Sequence, residues 1–193
     1  MRKNQLLLVC TLILSLFLVT GTAIAANEPT TPPIPGDTFR VDYFANANTE
    51  GAPDATVRIV NPGTTYETLC ADIYVFDPFQ EMSECCSCSL SPNSIRTLSV
   101  NGDLTSNPLT GTVLTSGALK IVSSTCGDPA KLHPTPSVKA WATHIQNSNF
   151  TVTEGESQQS GLSAGEVAGL DAGCAAIELE GSGHGICSCG TGD

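Results

Sequence analysis

Leu69-Cys70-Ala71-Asp72-Ile73-Tyr74-Val75-Phe76 is the stretch on which the fold turns. Leu69, Ala71, Ile73 and Val75 alternate with Cys70, Asp72, Tyr74 and Phe76, and a period of two belongs to a β-strand, whose successive side chains point to opposite faces. Outward from it the same texture recurs at Thr38 to Ala45, with Phe39, Val41 and Tyr43 on one face, and at Ala55 to Asn61, with Val57 and Ile59. It returns at Ser94 to Val100, Gly117 to Ser123, Ser137 to Gln146 and Asn149 to Glu154. Gly, Pro, Asn and Asp stand between the runs, as in the turn Asn61-Pro62-Gly63-Thr64. Short strands spaced this way predict a mainly β, β-sandwich-like domain rather than a βαβ fold. Asn101 to Thr115 reads as a surface loop.

A C-terminal helix is signalled over 163–180. Ser163 followed by Glu166 has the spacing of a capping box, and Val167, Leu170, Cys174 and Ile177 then share one face. Gly181 ends the pattern. The remaining tail, from Gly181 to Gly190, is glycine-punctuated and depends on its cysteines for order.

Beyond Cys10, eight cysteines remain: Cys70, Cys85, Cys86, Cys88, Cys126, Cys174, Cys187 and Cys189. An even set in an exported chain predicts a disulfide-stabilised domain, with 105 conceivable pairings. A vicinal bridge is strained, so Cys85 and Cys86 each need a distant partner, and the same shortness disfavours Cys187 with Cys189. Nearness along the chain and the buried helix face favour Cys174 with Cys187 or Cys189. The competing reading is a soft-ligand metal site for Cu or Zn, built from Cys85, Cys86, Cys88, His184, Cys187 and Cys189. No zinc-ribbon or haem-attachment spacing accompanies these clusters.

The chain's start has the anatomy of a secretory signal peptide. Met1-Arg2-Lys3-Asn4 is basic, Leu6 to Val19 is almost continuously apolar, and Ala23-Ile24-Ala25 is an A-x-A cleavage site. Residues 1–25 are therefore expected to be removed, leaving a Pro-rich arm over 26–37 and one domain over 38–193. Cys10 lies mid-run after Val9, out of place for a lipobox. Past the leader no apolar run approaches the length of a membrane span. The chain carries 19 acidic residues against 8 basic ones, for a net charge of −11. Such a balance offers no basic patch for nucleic acid or anionic lipid. Secretion or periplasmic export is the expected destination.

No catalytic constellation emerges. Gly181-Ser182-Gly183-His184-Gly185 matches neither a nucleophile elbow nor a dinucleotide loop, and it follows a helix where both require a strand. His133 and His144 lie in no ligand spacing. Glu81 and Glu84 are an acidic pair without a cleft to place them, and Asn101, Asp103 and Asn107 suit turn capping more than calcium. Tyr43, Phe44, Tyr74, Phe76, Phe79 and Trp141 suit a core at strand spacing, with a carbohydrate platform as the rival use.

Leu69 to Phe76, Glu84-Cys85-Cys86-Ser87-Cys88, Thr97 to Val100 and Asp103 to Thr110, with Cys174 to Ile177 and Gly181-Ser182-Gly183 through Cys187, together resemble a group of secreted, cysteine-rich proteins of acidobacteria that carry no assigned activity. The resemblance implies bacterial export and a shared cysteine framework, and it transfers no functional residue. The expectation for function is a non-enzymatic structural or binding module of the cell surface or extracellular space. It would need no cofactor and would self-associate or meet a surface or matrix partner. A thiol and imidazole metal-binding protein is the alternative, and a secreted hydrolase the second.

Overall fold

A computed structural model describes residues 34–106, 113–181 and 187–192. The expected leader, and the expected arm as far as residue 33, lie outside the described residues. Ten strands and a helix order the chain: β1 Phe39–Ala45, β2 Thr56–Val60, β3 Leu69–Phe76, β4 Met82–Leu90, β5 Ile95–Ser99, β6 Ser116–Ser124, β7 Lys139–Gln146, β8 Thr151–Glu156, β9 Gln158–Ser160, α1 Ala164–Gly181 and β10 Thr191–Gly192. They form two antiparallel five-stranded sheets, ordered β4-β3-β6-β1-β9 and β10-β5-β2-β7-β8. Their inner faces meet in one core, where Ile73 and Ile121 of the first sheet join Ile59, Leu98 and Ala140 of the second. The chain is thus mainly β and sandwich-like, with a C-terminal helix and four bridged cysteine pairs.

The alternation of β3 is realised on both of its faces. Leu69, Ala71, Ile73 and Val75 enter the inter-sheet core. Tyr74 points the other way, into a second apolar cluster beneath α1 with Leu170, Cys174 and Ile177. A strand covered on both faces needs apolar bulk on both, which explains a sequence richer than a simple in–out pattern. The Ser163 cap is present, its Oγ accepting from Glu166 N at 3.0 Å. Glu166 does not close the box, because its carboxylate pairs instead with Lys120 Nζ at 2.5 Å, pinning the first turn of α1 to β6.

Two expectations are corrected, the partner of Cys174 and the loop from Asn101, and one strand is added. Met82 to Leu90 is not among the runs read as strands, yet it is a strand, and a period of two explains the spacing of its cysteines. Cys86, Cys88 and Leu90 join the inter-sheet core while Cys85 faces the helix. Adjacent cysteines therefore point apart, and Cys174 is bridged to Cys85 rather than to the tail. Cys187 and Cys189 bond Cys86 and Cys88 two residues apart on the core face, and Cys70 bonds Cys126. The segment after β5 is not loop from its start, since Val100–Leu104 forms a π-turn with Val100 and Leu104 buried. The described residues of the 26–37 arm, from Ile34, pack on the domain. Ile34 packs on the helix-side cluster, and Asp37 takes ion pairs from Arg40 and Lys139.

One buried acid on the helix side makes a test of this packing. Asp72 is 3 % exposed and accepts from the Ser124 hydroxyl. Burial pushes its carboxyl above the usual carboxylate range, and the Ser124 hydrogen bond opposes that shift only in part. A folded-state pKa above the unfolded one means that the folded chain holds this proton more tightly. The contribution is fully present below the unfolded pKa and is lost as pH rises through the folded one. Asp72→Asn is therefore expected to change stability little near pH 3 and to raise it increasingly toward neutrality, with a slope no steeper than about 1.4 kcal/mol per pH unit. Urea midpoints of both proteins across that range check it, and a stability gain that shrinks with rising pH would contradict the assignment.

Candidate functional site

The outer face of the second sheet is the place where polar side chains converge. Val57, Ile59, Leu98, Ala140 and Ala142 fill the core from β2, β5 and β7, so the residues between them face outward. Register sets these in rows. Arg58 lies directly between Thr97 and Trp141, with Glu156 beyond Trp141. In the next row Thr56 stands beside Ser99, and Thr143 beside Glu154. Between the rows and the tail opens a cavity of about 640 Å³, lined by Thr56, Arg58, Thr97, Ser99, Asp103, Ser188 and Gly190. The helix packs on β4 of the other sheet, and β8 at the far edge is exposed almost throughout.

The lining is held from behind. Thr56 and Thr143 share a hydroxyl hydrogen bond of 3.0 Å, and Arg58 is ion-paired to Glu154. Ser99 caps the π-turn: its Oγ accepts from Gly102 N at 2.7 Å and donates to Asp54. Asp103 accepts from Ser99 N through Oδ2 at 2.8 Å, and its carbonyl accepts from Ser188 N at 2.9 Å. Two bridges flank Ser188, since Cys187 and Cys189 are tied to neighbouring core-facing positions of β4. Gly190 ends this wall with φ +62°, and an added Cβ would come within 2.6 Å of the Thr97 carbonyl oxygen. Only glycine meets both conditions.

The sulfurs of Cys86, Cys88 and Cys189 lie within 4.8 Å of one another. Cys85 does not join them, being on the opposite face of β4 and bridged to α1. Cys187 is bonded to Cys86, and His184 lies outside the described residues. The six residues of the metal reading are therefore not brought together among the described residues. Asn101 and Asp103 serve as caps, Asn101 Oδ1 accepting from Asn48 N at 2.9 Å, and Asn107 lies outside the described residues. Glu84 is buried whereas Glu81 sits on an exposed turn. His133 is exposed. Among the aromatics, Phe44 and Tyr74 are core, Phe79 is exposed, and Trp141 stands partly buried on the polar face.

A second polar cluster joins the sheets where β1 passes β7. His144 Nε2 lies 2.6 Å from Asp42 Oδ1, and Ser157 Oγ donates to Asp42 Oδ2 at 2.6 Å. Tyr43 stacks on His144 with ring centroids 4.3 Å apart. Serine, histidine and aspartate are the residue types of a nucleophilic triad, but the carboxylate stands between the other two. Ser157 is 3 % exposed and gives its proton to Asp42, so the imidazole has no hydroxyl to activate. The arrangement fastens one sheet to the other.

The face residues Thr56, Arg58, Thr97, Ser99 and Ser188 were not singled out from sequence. Their only local signal is the outward half of each strand's alternation, which looks like any solvated face. Comparison with family models, with curated proteins and with solved structures finds no match.

Proposed function

We propose that this chain is an exported, non-enzymatic binding module of the cell surface or extracellular space, and that the open face of the second sheet is its binding surface. The observation that carries the reading is the cavity at Arg58, whose wall is a tail segment bridged twice to the core. Holding Ser188 and Gly190 there takes two disulfides, and rigid polar groups set in advance bind with less ordering cost. Export is supported by four bridges and by the leader-like pattern of residues 1–25. Among the described residues no helix is long and apolar enough to cross a membrane.

The test is co-sedimentation of the oxidised chain with insoluble cell-wall and matrix polymers, comparing the parent with Arg58→Glu. Retention by the parent and a several-fold lower bound fraction in the variant are expected. Equal retention of both, or none of either, would overturn the assignment of this face. The metal-binding alternative draws on the three clustered sulfurs and requires thiols. Eight free thiols with stoichiometric metal in freshly purified protein would support it against the present reading.

A further inference from the structure

We infer that the face around Arg58 binds a neutral polysaccharide, with a sugar ring laid against Trp141 beside the cavity and its hydroxyls met by Thr97 and Arg58 of the same row and Thr56 of the next. This rests on the reading of that face as the binding surface and adds the chemical class of the ligand. Three features of the site select it.

The first is the balance of donors and acceptors. The cavity is lined by four side-chain hydroxyls, from Thr56, Thr97, Ser99 and Ser188, together with one guanidinium and one carboxylate, Asp103. Ser99 Oγ is committed to Gly102 N and Asp54, while Thr56, bonded to Thr143, and Ser188, accepting from Gly190 N, each keep hydrogen-bonding capacity. A hydroxyl both donates and accepts, so a wall of hydroxyls matches a ligand that is itself a row of hydroxyls. The second is charge. Arg58 is already ion-paired to Glu154, and Glu156 stands beside Trp141. No positive charge is left unbalanced in these rows to hold a polyanion, and the chain as a whole carries −11. The third is apolar content. Among these rows Trp141 is the one aromatic side chain, placed directly beside Arg58 in the register. A protein partner needs a desolvated cluster of apolar anchors, whereas a sugar needs one flat ring for its C–H face and polar groups around it. A volume of about 640 Å³ is also of small-ligand size, and the open sheet lets a longer chain run past its ends.

Trp141 is the single tryptophan of the chain, so its fluorescence reports this face and no other. The oxidised full chain is titrated with cellohexaose, xylohexaose and mannohexaose, with polygalacturonate as the anionic probe and hexalysine as the cationic one. A saturable change in emission with at least one neutral hexasaccharide, unaltered by added salt, is the expected result. Affinity electrophoresis in the matching neutral polysaccharide then reads the variants. Trp141→Ala and Arg58→Gln should each weaken retardation by roughly tenfold or more, and Phe79→Ala, on an exposed turn elsewhere, should not. If Trp141→Ala fails to fold, Arg58→Gln carries the comparison. Salt-sensitive binding of polygalacturonate or hexalysine alone, lost in Arg58→Gln, would overturn the neutral-glycan assignment and leave the face as a binding surface. Neutral-glycan binding that survives both substitutions would overturn the site, and no response to any probe would overturn the ligand class.

Discussion

Removing the bridge between β4 and the helix, as Cys85→Ala with Cys174→Ala, is expected to cost about 3 kcal/mol, the chain-entropy value for a loop of about 15 residues, because the intact Cys86–Cys187 bridge already joins β4 to the chain just past the helix. The helix has little else to keep it formed and in place. Gly165, Gly169 and Gly173 fall inside it, and each costs about 1 kcal/mol relative to alanine. Its hold on the sheet otherwise comes from Leu170 and Ile177, from partly buried Val167 and from the Lys120–Glu166 pair. Alanine at both positions avoids leaving a buried hydroxyl without a partner. Urea unfolding of the oxidised proteins measures the loss. Two transitions are expected in the variant: ellipticity at the helical band should fall at lower urea than Trp141 fluorescence, because the inter-sheet core does not include α1. A midpoint equal to the parent's would show that packing alone holds the helix.

A comparably large loss is expected from one methyl group. Gly117 on β6 pairs with Phe44 of β1, and the Phe44 ring folds over it so that an added Cβ would meet ring carbon Cζ at 2.7 Å. On its other side the same Cβ would run into the carbonyl oxygen of Phe76. A ring can rotate away, but a backbone carbonyl in a paired strand cannot move without breaking the ladder. Gly117→Ala is therefore expected to destabilise by about 3 kcal/mol, at the upper end for overpacking. Adding Phe44→Leu should recover only part of this, since the carbonyl contact remains. Gly155→Ala is the contrast. It lies on β8 with nothing within 4 Å of the added atom, and its effect should stay within about 0.5 kcal/mol. Thermal unfolding of the four proteins decides the matter, and similar melting for Gly117→Ala and Gly155→Ala would refute the argument.

These two sites also show how much could be read in the chain. β3 was legible because its period of two is carried by β-branched and aromatic residues that have few other uses. The Ser163 cap was legible because capping is a local hydrogen bond. β4 was not, because its pattern is written in cysteine and serine, whose spacing equally suits a metal cluster or a loop. Its strand character is supplied by β3, with Cys86 set opposite Ile73 and Cys88 opposite Ala71. The pairing of Cys174 followed the same course: nearness in sequence pointed to the tail, and the facing of Cys85 toward the helix decided otherwise.

By itself the sequence determined the class of fold, a sandwich-like β domain with a C-terminal helix and an even set of cysteines. Periodicity, capping and cysteine parity are properties of neighbouring residues and need no partner to be recognised. Only the tertiary structure decided which cysteines meet, and that Thr97, Arg58 and Trp141 form one row. These three belong to three strands, and register across a sheet depends on how the buried faces of all its strands fit one core. That fit is a property of the whole folded chain, so a polar row that reads locally as solvated surface becomes a single face only once the strands are paired.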